Sequence, residues 1–482
     1  MKRVFSSPIV PILFGAALRL FFVFRYPGES GDTALYEELA TNWLKRGQFA
    51  MEVAGQLAPV HIRMPGYPAF LAVVYAITGH TGPAAHRAVL LFQVFVDLST
   101  CLLIGALAAV LALLCAEKAN PRRAFLIGIW LAAACPFTAN YVAVILTETW
   151  TVFFTVLATL ILAAVIACAA GLSSAGQWTL AGRNYWLAAA LAGFAVGLGT
   201  LFRPETPMLL ATAFLILAVI LLRRGEFRRF LLTIALMAFA AALPLAPWTI
   251  RNAVSLHEFQ PLTPQNAALS DELVPIGFMN WERTWLYRVR DCYLVSWKLN
   301  GEEIHLSDIP AYAFDTPEER ARVAAILDTY NDDLTLTPEQ DSVFAQLARE
   351  RTARHPLRTY LFVPLRRAVR IWFTPRIELL PFAGNVFPLR AMHQSDPVDQ
   401  RVTILIFFLN IFFLAIALWG ALRLRHSPPA RAVLFFIFLY ILIRTAFLTT
   451  LETPEPRYVL VCFPALIALA AQLFLPRTPS AT

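Results

Sequence analysis

The sequence predicts an all-α polytopic membrane protein of about ten transmembrane helices. Three observations carry that prediction. Of 482 residues, 58% are hydrophobic and only 15% charged, with a mean hydropathy of +0.60, whereas a soluble domain needs more charge to cover its surface. Several runs reach the roughly 20 apolar residues that cross a hydrocarbon core. Lys and Arg also collect in alternate connections, the asymmetry that orients membrane helices. The net charge of +8 is scattered between apolar runs, which argues against a continuous nucleic-acid-binding face.

In chain order the runs lie near 9–25, 88–114, 124–140, 149–171, 185–201, 207–222, 230–249, 401–422, 432–449 and 458–475. The inner connections then hold Lys2 and Arg3, Lys118, Arg122 and Arg123, Arg183, Arg223, Arg224, Arg228 and Arg229, and Arg423, Arg425 and Arg431. The short outer connections hold little beyond Arg203 and Arg457. Both termini are therefore expected in the cytoplasm, with the protein in the inner (plasma) membrane and any site on its long connections facing the periplasm or outside. Residues 1–25 combine a basic start with an apolar stretch, but no small-x-small cleavage site follows, so they read as a retained first span. Of six cysteines only Cys292 falls in the large outer region, which excludes a disulfide framework there. No CxxC, His-rich cluster or HExxH occurs, so no structural metal is expected.

Two segments interrupt the short connections and divide the chain. Residues 1–250 read as an N-terminal transmembrane catalytic module with a first outer loop over 26–87. Residues 251–400 read as a mostly helical outer region, and 401–482 as C-terminal transmembrane helices. In the first loop Leu35, Tyr36, Leu39, Ala40, Trp43 and Leu44 recur at helical spacing, with Thr33, Glu37, Thr41 and Lys45 opposite. That pattern predicts an interfacial helix closed by Gly47. "RMPGYPAFLAVVYAITG" then supplies an apolar stretch too short to span, expected to dip into the membrane or lie on it. In the outer region Asp315 or Thr316 should cap a helix with Pro317 in its first turn. Thr337 and Gln340 have capping-box spacing. Residues 355–373, "HPLRTYLFVPLRRAVRIWF", mix arginines with apolar residues and read as another interfacial helix. Strand signals in this region are weak.

Six outer-facing residues could carry chemistry, and each has a plain alternative. Asp32 opens the first-loop helix, where an Asp is commonly an N-cap, although Ser30 and Thr33 could cap equally well. Glu148 lies in "VAVILTETWTVFF"; an ionisable group at that depth is costly and tends to mark function, yet Thr147 and Glu148 could simply cap the fourth span. Arg63, Arg203, Arg251 and Arg457 sit at the same outer boundary. Each could anchor its helix, but together, and against the positive-inside trend, they suggest an anion. A guanidinium grips phosphate through a planar fork, and the anion at this depth would be a lipid phosphate. Carboxylates beside a lipid phosphate suggest displacement at the anomeric carbon of a polyprenyl-phosphate-linked sugar. One carboxylate would take the acceptor proton while arginines stabilise the departing phosphate.

The stretches "GDTALYEELATNWLKRGQF", "RMPGYPAFLA", "LTETWTVFF", "GFAVGLGTLFRPE", "PWTIRN" and "PEPRYVL" appear in order from the first span to the last. In that order and placement the chain resembles the C superfamily of membrane glycosyltransferases, in the branch of the protein mannosyltransferases and aminoarabinose transferases. These use dolichyl- or undecaprenyl-phosphate sugars. The resemblance covers most of the chain except about 260–350. It implies an integral membrane glycosyltransferase, hexosyl- or pentosyl-, acting by inverting displacement. It implies Asp32 as base, Glu148 as the second-loop acidic residue, and Arg63 as a contact to the donor phosphate. Arg203, Arg251 and Arg457 are expected around the same phosphate, and Tyr36, Tyr67, Glu205 and Tyr458 against substrate. Its partners would be a polyprenyl-phosphate-linked sugar donor, membrane lipids and an acceptor glycan, lipid or protein, with no nucleic acid. No cofactor is required by the pattern, and assistance by a divalent metal ion is left open. Thr33 follows Asp32, so the Asp-Glu pair of the protein mannosyltransferases is absent, as is a Trp-Trp-Asp-Tyr-Gly motif. The first absence argues against a protein acceptor and the second against asparagine glycosylation. The competing readings are a transporter or flippase of lipid-linked sugars, for which paired repeats and broken midplane helices would be expected, and an O-antigen ligase or polymerase.

Overall fold

The computed structural model describes residues 7–114, 120–171, 184–264, 266, 272–384, 386 and 396–476. Lys2, Arg3, Lys118 and Arg183, assigned above to inner connections, lie outside the described residues. Two compact units emerge, one of Met1–Gln265, Pro375–Ile441 and Leu460–Thr482, the other of Asn266–Thr374 and Leu442–Val459.

Helix α1 is Ile9–Arg25 and α2, the first-loop helix, Gly31–Arg46. A hairpin of β1 (Ala50–Val53) and β2 (Gln56–Pro59) follows, then α3 (Gly66–Thr78), α4 (His86–Leu113), α5 (Pro121–Ala134) and the short α6 (Pro136–Ala139). Next come α7 (Glu148–Ala169), α8 (Tyr185–Thr200), α9 (Met208–Arg223) and α10 (Phe227–Ser255). The second unit holds α11 (Ile276–Arg283), α12 (Val289–Leu294), α13 (Pro317–Asp333), α14 (Pro338–Arg354) and α15 (Val363–Trp372). The chain then runs through α16 (Pro397–Leu424), α17 (Pro428–Thr449) and α18 (Phe463–Ala471).

All ten apolar runs are helical. Among the described residues, α4, α7, α10, α16, α17 and Pro456–Phe474 are long and apolar enough to cross a membrane, and the bent pair Pro121–Ala134 and Pro136–Ala143 makes a seventh if taken as one span. Helices α1, α8 and α9 have 17, 16 and 16 residues, fewer than the roughly 20 that cross a bilayer core of about 30 Å, so six or seven helices rather than ten meet the spanning criterion among the described residues. The chain is an all-α polytopic membrane protein. The third run is not straight, as expected from its hydropathy, but bends by 55° where Pro136 removes a backbone donor. The hairpin, with Ala50 opposite Pro59 and Val53 opposite Gln56, is the one element the sequence pattern did not signal.

In the first unit α1, α2, α3, α4 and the irregular stretch 142–146 share one core, with Phe22, Tyr36, Tyr67, Leu71, Val89 and Val144 all buried. Helix α3 has only 13 residues, and it packs its buried face into this core. Helices α8 and α10 touch backbone to backbone. A Cβ on Gly193 or Gly197 would come within 2.2 and 2.3 Å of the Met237 and Ala241 carbonyl oxygens, the small-residue packing that membrane helices use for close approach.

The second unit has its own core around Trp281, Trp285, Ile304, Val323, Tyr330 and Phe344. Its caps decide between the alternatives left by the sequence. Thr316, not Asp315, caps α13, accepting from the Glu319 N–H at 3.2 Å. Asp315 instead holds Arg358 through two bonds of 2.5 and 2.8 Å. The Thr337–Gln340 box forms as expected, at 3.2 and 2.9 Å.

Candidate functional site

The first unit's site begins with an irregular piece of backbone. Between α6 and α7 the chain tightens into a 3-10 turn over Asn140–Ala143 and leaves helical geometry from Val144, so its buried carbonyls need other partners. Fully buried Gln93 on α4 supplies them, its amide donating to the Val142 and Val144 carbonyls at 3.0 and 2.9 Å. The Tyr67 hydroxyl donates to the same Gln93 at 2.9 Å. Gly28 pairs with Val144 as an isolated parallel bridge, and the Thr33 hydroxyl donates to the Ile145 carbonyl at 3.2 Å. The start of α2 is thereby fixed beside the start of α7. That is how Asp32 and Glu148, 116 positions apart by their numbers, come to share one site.

Asp32 is not the cap of α2. Ser30 caps it, forming a box with Thr33, and the Ser30 hydroxyl accepts from the Asp32 N–H at 3.3 Å. The Asp32 carboxylate is left to face Arg63, which donates to it at 2.8 Å. Arg63 is held by the turn that follows. Gly66 N–H donates to the Leu201 carbonyl at 2.7 Å, and a Cβ there would sit 2.6 Å from that oxygen. Gly66 therefore brings the loop of Arg63 against the loop of Arg203.

Arg203 makes the second pair, with Glu148 at 2.5 Å and with Thr147 Oγ1 at 3.0 Å, while Glu205 lies 3.9 Å away. Glu148 is 4% exposed and Arg203 21%; Asp32 and Arg63 are 28% and 34% exposed. Buried Tyr36 lies within electrostatic reach of both pairs, its ring edge-on to Tyr67 at 5.1 Å. Burial, and then Asp32, push the Tyr36 hydroxyl up to about 12, with Arg203 and Arg63 pulling the other way and Glu148 adding to the rise. All four charged groups thus act on one phenol. Burial draws the Arg63 guanidinium down, but Asp32 outweighs it and leaves Arg63 above its ordinary value. A half-open cluster of two carboxylates and two guanidiniums can take a proton on one side and hold an anion on the other.

The remaining expected residues divide. Arg251 stacks over Phe49 and Trp248 and donates to the Phe49 carbonyl, to the Val60 carbonyl at 2.8 Å and to Asn252 Oδ1 at 2.9 Å. It ties the hairpin segment to α10. It also lines an apolar cavity of about 630 Å³ with Trp43, Pro65, Gly66, Leu201 and Trp248. Tyr67 commits its hydroxyl to Gln93. Arg457 and Tyr458 belong to the second unit, where both engage Glu455, at 2.5 and 2.6 Å. Sequence reasoning passed over Gln93 and the buried pair of Arg19 and Asp97. Only the last had a legible signal, an Arg and an Asp inside apolar runs.

No family model and no curated protein matches the sequence. Solved structures with a similar fold include the oligosaccharyltransferase of Archaeoglobus fulgidus tethered with an acceptor peptide. It is 14% identical, with a TM-score of 0.49 over 96% of this chain and 49% of that one. AglB from the same archaeon, in complex with an inhibitory peptide and a dolichol-phosphate, gives 14% identity and 0.46 over 96% and 50%. ArnT from Cupriavidus metallidurans, bound to undecaprenyl phosphate, gives 14% and 0.38 over 96% and 77%. The chain spans about half the length of the archaeal structures it matches.

Proposed function

We propose that the protein is a glycosyltransferase that moves a sugar from a polyprenyl-phosphate donor to an acceptor at the outer face of the inner membrane. The observation that carries this reading is the Asp32–Arg63 pair, half-open, beside Glu148–Arg203. When the donor phosphate arrives, Arg63 turns from Asp32 to the phosphate, and the freed carboxylate accepts the acceptor's hydroxyl proton. The acceptor oxygen forms its bond to the anomeric carbon as the bond from that carbon to the phosphate oxygen breaks. Polyprenyl phosphate leaves with the electron pair, opposite the incoming oxygen, so the configuration inverts. Glu148 holds the Arg203 fork in place for the same anion. The Tyr36 hydroxyl donates to or accepts from the sugar, and Glu205 lies beside Arg203 for the same task. The apolar cavity beside Pro65 and Gly66 suits a prenyl chain whose phosphate reaches Arg63.

A divalent metal ion does not fit these residues. Asp32 and Glu148 each hold a guanidinium, and among the described residues no group of three or more His, Cys, Asp or Glu is placed to bind one. In this reading arginines supply the positive charge. The test is to incubate the purified protein with a polyprenyl-phosphate sugar radiolabelled in the sugar, and a set of envelope acceptors. Release of polyprenyl phosphate coupled to label in an acceptor supports the reading. Movement of intact donor between leaflets with no consumption would support a flippase and remove it.

A further inference from the structure

The segment 355–373 takes no part in the site above, and its surface has two unusual properties together. Leu357, Leu361, Leu365, Val369 and Phe373 recur at every fourth position and all are exposed, with Tyr360 and Phe362 beside them. An apolar stripe of this kind on a membrane protein belongs in the lipid interface. Next to the stripe lies a cluster of arginines organised by tyrosines. Arg288 lies over the rings of both Tyr287 and Tyr312, at 5.4 and 5.5 Å, and Arg366 lies over Tyr287 at 5.4 Å. The two tyrosine rings are 5.1 Å apart. Stacking of this kind fixes a guanidinium plane while leaving its edge of donors open.

That edge is open here. Among the described residues the guanidiniums of Arg288, Arg290, Arg366 and Arg370 make no hydrogen bond and no ion pair closer than 4 Å, and the Arg288 Nε is buried with no hydrogen-bond partner. The carboxylate set among them is buried Asp291, within electrostatic reach of Arg288, Arg290 and Arg370, and it already takes the Tyr312 hydroxyl. Several fixed guanidiniums against one occupied carboxylate leave a surplus of positive charge, and an interfacial stripe sets the depth at which it is felt.

We propose that Arg288, Arg366 and Arg370, framed by Tyr287 and Tyr312, bind the phosphate headgroup of an anionic membrane lipid whose acyl chains lie along the Leu357–Phe373 stripe. The site is independent of the donor phosphate site at Arg63 and stands whether or not that reading holds. Full-length protein in a neutral detergent is titrated calorimetrically with dioctanoyl phosphatidic acid, dioctanoyl phosphatidylcholine and inorganic phosphate. Saturable binding of phosphatidic acid is expected, much tighter than that of the other two. An Arg366→Ala/Arg370→Ala double variant should bind it at least ~10-fold more weakly while staying folded, since Arg366 gives up only its stacking on Tyr287 and Arg370 only its longer-range attraction to Asp291. Arg366→Lys/Arg370→Lys should recover part of the loss. Arg63→Ala should leave this binding in place. Unchanged affinity in the alanine double variant overturns the site, and so does loss of all phosphatidic acid binding in Arg63→Ala, which would leave the donor reading intact. Inorganic phosphate binding as tightly as the lipid overturns the assignment to a membrane lipid.

Discussion

The first unit contains two Arg–Asp pairs of nearly equal length that do different things. Arg19 and Asp97 meet at 2.6 Å and are 0% and 3% exposed; Arg63 and Asp32 meet at 2.8 Å and are 34% and 28% exposed. Arg19 has its other donors committed as well, to the Gly15, Ala132 and Ala133 carbonyls and to Cys101. It locks α1, α4 and α5 together and offers nothing to a ligand. Arg63 spends one other bond, on the adjacent Ile62 carbonyl at 3.0 Å. The contact chemistry is the same in both. What distinguishes a pair that holds the fold from a pair that can work is access, and the donors left over.

The largest expected effect lies on the sealed pair. Removing one partner leaves a charge buried without its counter-ion, so Arg19→Ala or Asp97→Ala should cost about 3–5 kcal/mol and lower the unfolding temperature sharply. A folded Arg19→Ala protein of near wild-type stability would break the contrast. On the open pair, Arg63→Ala should weaken donor binding by about 1.5–3 kcal/mol, with Arg63→Lys recovering part because charge survives and the fork does not. Unchanged donor affinity and turnover in the alanine variant would take Arg63 out of the site.

Glu282 sharpens the comparison as a sealed carboxyl with no guanidinium at contact distance. Ser296 donates to it at 2.5 Å, and burial pushes it up to about 8 despite that bond. A folded value above the unfolded 4.5 means the folded state holds the extra proton. Its stabilising contribution is therefore complete below the unfolded value and lost as pH rises through about 8. Unfolding temperature should fall between roughly pH 5 and pH 9, and Glu282→Gln should flatten that fall; an equal slope in the variant would contradict the assignment. The smallest effect belongs to the true cap. Ser30→Ala should cost about 1 kcal/mol of stability and leave the rate of transfer within a few-fold, as measured by thermal unfolding and a transfer assay.

Much of this was legible in the sequence because hydropathy and helix caps act locally. The apolar runs, the first-loop helix closed by Gly47 and the Thr337–Gln340 box follow from spacing alone. Asp32, Arg63, Glu148 and Arg203 were singled out, and the fold brings them together. What stayed hidden depends on partners far away in the chain. The hairpin has strands of four residues, too short for an alternating pattern, and turns through Ala54 and Gly55 at positive φ. Arg251 reads like the other boundary arginines until the hairpin carbonyls appear in front of it. Gln93 carries no signal, because nothing local says that the backbone at 142–144 will need its amide.

The central claim is that Asp32, relieved of capping by Ser30, acts as a base, and one measurement addresses it directly. Asp32→Asn keeps the shape of the side chain and removes its ability to take a proton. The transfer rate of the folded, purified variant should fall by at least ~10²-fold while its unfolding temperature and donor binding stay close to wild type. Transfer within a few-fold of wild type in that protein would contradict the account and return Asp32 to an ordinary first-turn residue.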